Sequence, residues 1–215
     1  EGRKYNAITI LDASQTGGVL DFKEISNLSD FIVFAGHKNL YGPSGIGGYI
    51  YNKQIPLNPL LYGGTGIKSE EEDMPKDLPE RFEAGSPNIL GIIGLQLSTE
   101  ELLKIGIENI KEKKIKNIEK LYEVLEEYPY DLEILSDKEN NIGVISIVGK
   151  DYSPQELETL LEDEGVVIRR GLHCAPLAHQ HMNTIQNGGT LRLSVGYFNT
   201  DEDLEKFNLI LEKIF

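Results

Sequence analysis

Lys38 stands in Ala35-Gly36-His37-Lys38-Asn39-Leu40-Tyr41-Gly42, directly after the apolar run Asp30–Ala35. Upstream, a second apolar run, Ala7–Leu11, ends against Asp12 in Leu11-Asp12-Ala13-Ser14-Gln15. A lysine after one strand end and a carboxylate after another is the pair that pyridoxal phosphate (PLP) chemistry requires. The amine condenses with the aldehyde, and the carboxylate keeps the pyridine nitrogen protonated so that the ring can accept electrons. Both residues fall where α/β sheets place ligands, at the carboxyl ends of strands. The freed lysine amine is then a natural base for a substrate's α-carbon proton. Taken singly, Lys38 reads as a solvated loop lysine and Asp12 as a turn former. Their joint placement with Gln15 and His37 favours the cofactor.

A second group lies far downstream, in Arg169-Arg170-Gly171-Leu172-His173-Cys174-Ala175-Pro176, which holds the only cysteine. A lone cysteine is often a small buried apolar residue. Gly171, Pro176 and the arginines instead place this one in a loop with a positive neighbourhood, a setting that favours the nucleophilic thiolate. Arg192, inside the run Thr190–Ser194, and Arg169 are two candidates for binding a carboxylate, which a planar guanidinium grips with two parallel hydrogen bonds. Either also reads as half of a surface ion pair. His173, His179 and His181 crowd around Cys174. A structural zinc site wants four ligands, and with no second cysteine no metal is expected. The stretch Tyr41–Gly48 is not a P-loop, since no Lys-Ser/Thr follows. Its glycines read as turn formers that let the chain pass close to the cofactor.

Together these segments resemble the class V aminotransferase-like PLP enzymes, most closely their cysteine desulfurase and selenocysteine lyase branch. The resemblance runs in order through Asp-Ala-Ser-Gln, Gly-His-Lys, Arg81-Phe82-Glu83-Ala84-Gly85-Ser86-Pro87-Asn88, the cysteine segment, and Leu191-Arg192-Leu193-Ser194 with Tyr197-Phe198-Asn199-Thr200. It implies the following roles. Lys38 carries PLP, Asp12 pairs with the pyridine nitrogen, Gln15 with the phenolic oxygen and His37 with the phosphate. Gly64 and Ser86, the latter in place of a more usual threonine, reach the phosphate of a partner subunit. Arg192, with Arg169 as second candidate, holds the carboxylate of L-cysteine or L-selenocysteine, and Cys174 takes the sulfur or selenium as a persulfide. The segment departs from the family in having Leu172 where a first histidine is common. The resemblance further implies a homodimer and leaves room for a sulfur-acceptor protein. Within the same fold, a lyase or epimerase that ignores Cys174 is the alternative, and a non-catalytic fragment is another.

Composition bounds the rest. The chain has 215 residues, 40% of them apolar, enough for one or two domains with cores of their own. A net charge of −14 argues against sequence-independent binding to nucleic acid or anionic membranes. No apolar run reaches the length of a membrane span, and the first residues lack a signal-peptide core. With a single cysteine, these features lead to an expectation of a cytoplasmic protein. Family members are much longer, so the chain is expected to be the C-terminal portion of such a protein.

The expected fold is α/β: a PLP-dependent transferase of fold type I. Residues 1–97 would form part of the large parallel-sheet domain, and residues 98–215 a small α/β or α+β domain carrying the cysteine loop. Ala7–Leu11 and Asp30–Ala35 read as buried parallel strands with a short crossover helix near Phe22–Leu28 capped by Asp21, and Gly47–Tyr51 as a third strand. Gln54–Pro79 reads as loop. From Pro87 the pattern turns helical, with Ile89, Ile92, Ile93 and Leu97 on one expected buried face. The long amphipathic stretch Ser98–Tyr128 is interrupted at Gly106. Strands are expected at 131–135, 143–148, 166–168 and 190–194. Helices are expected at 153–164, opened by a capping box at Ser153 and Glu156, and at 200–214.

Overall fold

The computed structural model describes residues 2–52, 55–67 and 70–215, so Gln54, where the expected loop begins, lies outside the described residues. The chain divides into two compact units, Glu1–Ile107 and Glu108–Phe215. The sequence reading set the junction ahead of Ser98. The helix there runs unbroken to Ile105, and the break comes at Gly106, whose φ of +90° is glycine territory.

The first unit is built on a three-stranded sheet of β1 (Ile10–Asp12), β2 (Phe31–Ala35) and β3 (Gly47–Tyr51). β1 pairs parallel with β2, and β3 pairs antiparallel with β2. β1 is shorter than expected: Thr9 O still accepts from Phe31 N–H at 3.0 Å, but its donors turn to a side chain. Its N–H and hydroxyl both donate to Asp30 Oδ2 at 2.8 Å. The expectation that the first two strands are buried holds for Ile32, 8% exposed, but not for Ile10 at 69% or Val33 at 38%. The crossover helix is only a 3-10 turn at Ile25–Leu28, and Asp21 does not cap it; Asp21 Oδ1 accepts from Lys23 N–H, a local turn.

Helix α1 (Ile89–Ile105) follows, with Asn88 Oδ1 accepting from Gly91 N–H at 3.0 Å as N-cap. Its predicted buried face is not buried: Ile89, Ile92, Ile93 and Leu97 are all at least 46% exposed. Apolar residues surround this helix, and its packed side is the one that carries Leu95, which lies against Gly36 and Gly42 of the Lys38 segment.

In the second unit, α2 (Ile107–Glu126) leads into a four-stranded, wholly antiparallel sheet. Its strands are β4 (Leu132–Ile134), β5 (Val144–Gly149), β6 (Arg169–Gly171) and β7 (Thr190–Ser194), in the order β4-β5-β7-β6. Helices α3 (Pro154–Asp163), α4 (Pro176–His181) and α5 (Asp201–Ile214) complete it. The period-2 pattern of β5 and β7 puts Ile145, Ile147, Leu191 and Leu193 into one core with Ile118, Leu121 and Leu125 of α2, Leu157 and Leu161 of α3, and Phe207 and Leu211 of α5. Both long C-terminal helices begin with capping boxes, Ser153 with Glu156 and Thr200 with Asp203. The expected strand at 166–168 is displaced to Arg169–Gly171. Val166 and Ile168 are apolar because they pack on the core, not because they join a ladder. No helix among the described residues is long and apolar enough to cross a membrane.

Candidate functional site

In the first unit the parallel pairing of β1 with β2 brings the two chemical strand ends together. Asp12 is the last residue of β1, opposite Val33, and Ala13 N–H donates to Val33 O at 2.8 Å. β2 ends at Ala35, and Lys38 follows in a turn closed by Tyr41 N–H to Lys38 O at 2.9 Å. Asn39 Nδ2 donates to Gln15 O, tying the loop after β2 to the loop after β1. The two backbones touch: a Cβ on Gly18, at φ +88°, would come within 2.4 Å of Asn39 O, so only glycine fits. Asn88, the cap of α1, also donates through Nδ2 to Gly45 O at 3.3 Å and so anchors the far end of the Lys38 segment. The glycines between Tyr41 and Gly48 chiefly make room for neighbours within the fold. Gly42 lies against Leu95 and Gly48 under the Phe34 ring.

Asp12 is exposed and held ionised. Hydrogen bonds from Ser14 push its pKa below the usual carboxylate value, one of them from Ser14 N–H to Oδ1 at 2.9 Å. The Lys38 charge is near enough to lower it further. Gln15 and His37 are exposed and Lys38 is half-buried. Gly64 is held beside the Ser86 segment, where Gly85 N–H donates to Gly64 O at 2.8 Å.

In the second unit, β6 and β7 place Arg169 directly opposite Arg192. Leu191 and Leu193 face the core, so Arg192 and its cross-strand partner lie on the other face. Arg170 points the opposite way and is taken up by Glu158 of α3. Like charges directly opposite repel, and Arg192 Nε is buried without a hydrogen-bond partner. Two guanidiniums so placed are complementary to an anion, and their planar forks suit a carboxylate.

Beyond β6 the chain turns at Leu172–Ala175, and Cys174 is exposed on this turn. His173 reports the charge around it. Burial foremost, then Arg192, His179 and Arg169, push its pKa below the ordinary value, against the pull of its bond to Thr190. The second unit therefore gathers Cys174, His173, Arg169 and Arg192 in one neighbourhood. The histidines are engaged with threonines: His173 Nε2 with Thr190 and His179 Nδ1 with Thr184 Oγ1 at 2.7 Å. No group of side chains among the described residues could hold a metal ion.

Sequence reasoning missed Ser14, Asn39, Glu158 and both threonines. Asn88 had a readable signal, an N-cap residue before an apolar run. Thr190 had none, because its partner His173 lies across a strand pairing, and Thr184, five residues from His179, has no side-chain signal that distinguishes it from a solvated loop threonine.

The parallel strand ends with their lysine and carboxylate, and a separate antiparallel α+β unit with a cysteine turn, define the fold of the PLP-dependent transferases of fold type I. The class V aminotransferase profile matches residues 1–207, and the chain belongs to that family. A probable cysteine desulfurase of Methanothermobacter thermautotrophicus is 33% identical over 214 residues, 97% of this chain and 53% of that protein. One from Pyrococcus abyssi is also 33% identical, over 99% of this chain and 53% of its own length. The apo structure of a cysteine desulfurase from Thermococcus onnurineus superposes with a TM-score of 0.85 at 29% identity, covering 99% of this chain and 53% of that one. The chain thus spans about half the length of the curated relatives it matches.

The donor set fits PLP. An ionised, exposed carboxylate at Asp12 stands within electrostatic reach of a half-buried primary amine at Lys38, with the Gln15 and His37 side chains open to a ligand.

Proposed function

We propose that this chain is part of a PLP-dependent cysteine desulfurase that converts L-cysteine to alanine and leaves the sulfur on Cys174. The observation that carries the reading is the exposed Cys174 turn beside the paired Arg169 and Arg192, a nucleophile and a carboxylate receptor in one neighbourhood. PLP, held by Lys38, Asp12, Gln15 and His37, would supply the electron sink that makes the substrate's α-proton labile. Asp12, held ionised, would pair with the ring nitrogen. Lys38 Nζ, as a free amine, would take the α-proton and afterwards return a proton to the α-carbon. Arg192, with Arg169 beside it, orients the carboxylate. Cys174 Sγ, as thiolate, attacks the substrate sulfur, so that an S–S bond forms as the C–S bond breaks. The electron pair of the broken bond stays with carbon, which takes up a proton to become the methyl group of alanine. An external thiol or an acceptor protein then reduces the persulfide.

The same reading extends to L-selenocysteine as a second substrate and to a cytoplasmic homodimer in which Gly64 and Ser86 meet the partner's cofactor phosphate. The test is substitution in the longer protein of which we propose this chain is a part. Cys174→Ser keeps the shape and removes most of the nucleophilicity. It should retain PLP and bind L-cysteine while sulfide release falls by orders of magnitude. Arg192→Ala should fail earlier, at substrate binding. Wild-type turnover in Cys174→Ser would defeat the desulfurase reading and favour a lyase or epimerase.

A further inference from the structure

The turn that carries Cys174 has an unusual backbone. His173 at φ 49° and Cys174 at φ 63° are its two central residues, closed by Ala175 N–H to Leu172 O at 2.8 Å. Positive φ at both centres belongs to turns dominated by glycine, asparagine and aspartate. Leu-His-Cys-Ala has none of these; histidine tolerates positive φ better than most, but two such residues in succession, the second a cysteine, hold it only when their surroundings impose it.

The surroundings that impose it are visible. His173 Nε2 lies 3.1 Å from Thr190 O and 3.1 Å from Thr190 Oγ1. Thr190 is 1% exposed and paired with Gly171 of β6, on the strand that also carries Arg192. The backbones are pressed together here, since a Cβ on Gly189 would come within 2.2 Å of Gly171 O. A second pair lies behind the first. Buried His179 of α4 bonds to Thr184 Oγ1, and Thr184 O accepts from Gly189 N–H at 2.9 Å. The two imidazoles stand 5.7 Å apart. Two histidine–threonine pairs thus connect the cysteine turn, α4 and β7.

We propose that His173 is a positioning residue for Cys174: its grip on Thr190 holds the thiol-bearing turn in its left-handed form beside Arg192. The proposal rests on reading Cys174 as the sulfur acceptor, and it assigns His173 no contact with substrate. A backbone carbonyl can only accept, so Nε2 carries the ring proton and donates to Thr190 O. Nδ1 keeps its lone pair and is buried without a partner.

Cys174 is the only cysteine, so labelling with ¹³C,¹⁵N-cysteine gives one residue to follow by NMR. The wild-type chain should show a single Cys174 signal with the Cα shift and HN–Hα coupling of positive φ. Its ¹⁵N-histidine spectrum should show His173 as the Nε2–H tautomer. His173→Asn separates the two roles of the side chain, because asparagine tolerates left-handed φ but is too short to reach Thr190. The variant should give several Cys174 signals, or one shifted to extended backbone, with the β5 and β7 signals unchanged. In the longer protein it should lower kcat for L-cysteine about tenfold with KM within about twofold. A wild-type Cys174 signal in His173→Asn, an unchanged kcat, or an Nδ1–H tautomer in the wild-type chain would each overturn the proposal. The tautomer measurement needs no variant and stands even if His173→Asn does not fold. Neither NMR readout depends on turnover, so failure of the desulfurase reading, seen as an active Cys174→Ser, is told apart from failure of this one.

Discussion

Lys114 on α2 is only 3% exposed, and burial lowers its pKa from the ordinary 10.5 to about 8. Replacing it by methionine isolates what that buried charge costs. At roughly 1.4 kcal/mol per pKa unit, carrying the proton inside the fold costs up to about 3 kcal/mol at neutral pH. The unfolded chain keeps its proton up to its own pKa of 10.5, while the folded chain releases it near 8. Between these values the unfolded state binds more protons, so this group makes stability rise with pH. Lys114→Met removes the titration and keeps an apolar stem of similar reach against Gly143, where Lys114 Cε lies 3.0 Å from the position of a Cβ. The variant should be more stable than wild type at pH 7 by about 1–3 kcal/mol, the lower end allowing for lost polar contacts. The two should converge as pH approaches 10.5. Urea denaturation followed by circular dichroism at pH 7 and 10 measures both. The tyrosines whose pKa values are raised, among them Tyr122 and Tyr128, titrate in both proteins and cancel in the difference. A variant less stable than wild type at pH 7, or a difference that does not change with pH, would refute the reasoning.

Two further outcomes follow from the fold and the site. Ser153→Ala breaks the capping box of α3 and should lower stability by about 1 kcal/mol, read from the same urea curves, with Glu156 losing the hydroxyl bond, the larger of the two that hold its pKa down. Borohydride reduction of the PLP-loaded longer protein, followed by peptide mapping, should place the label on the peptide containing Lys38; label on another lysine would displace it from the cofactor role.

The chemistry was more legible in the sequence than the packing. β3 and β7, the capping box at Ser153 and the break at Gly106 occur where the sequence places them, because each is encoded by its own neighbours. The misses share one cause. β6 was placed on the apolar Val166–Ile168, but strand identity there depends on the register with β7, which pairs the charged Arg169 with Arg192. The spacing of Ile89, Ile92, Ile93 and Leu97 predicts a buried face on α1, yet hydropathy cannot say which side of a helix meets a neighbour. Lys38, Asp12, Cys174 and both arginines could be named from their types and spacing. The joining of Arg169 to Arg192 across one ladder, and the hold of Thr190 on His173, could not, since both depend on pairing between distant segments.

The central claim is that Cys174 receives the sulfur of L-cysteine. Its most direct test incubates the PLP-loaded longer protein with L-cysteine and no reductant, blocks the product with an alkylating reagent, and maps the cysteine peptide by mass spectrometry. The account predicts one additional sulfur atom on Cys174, absent when PLP or L-cysteine is omitted. Alanine formed at the wild-type rate while the Cys174 peptide carries no added sulfur would contradict it.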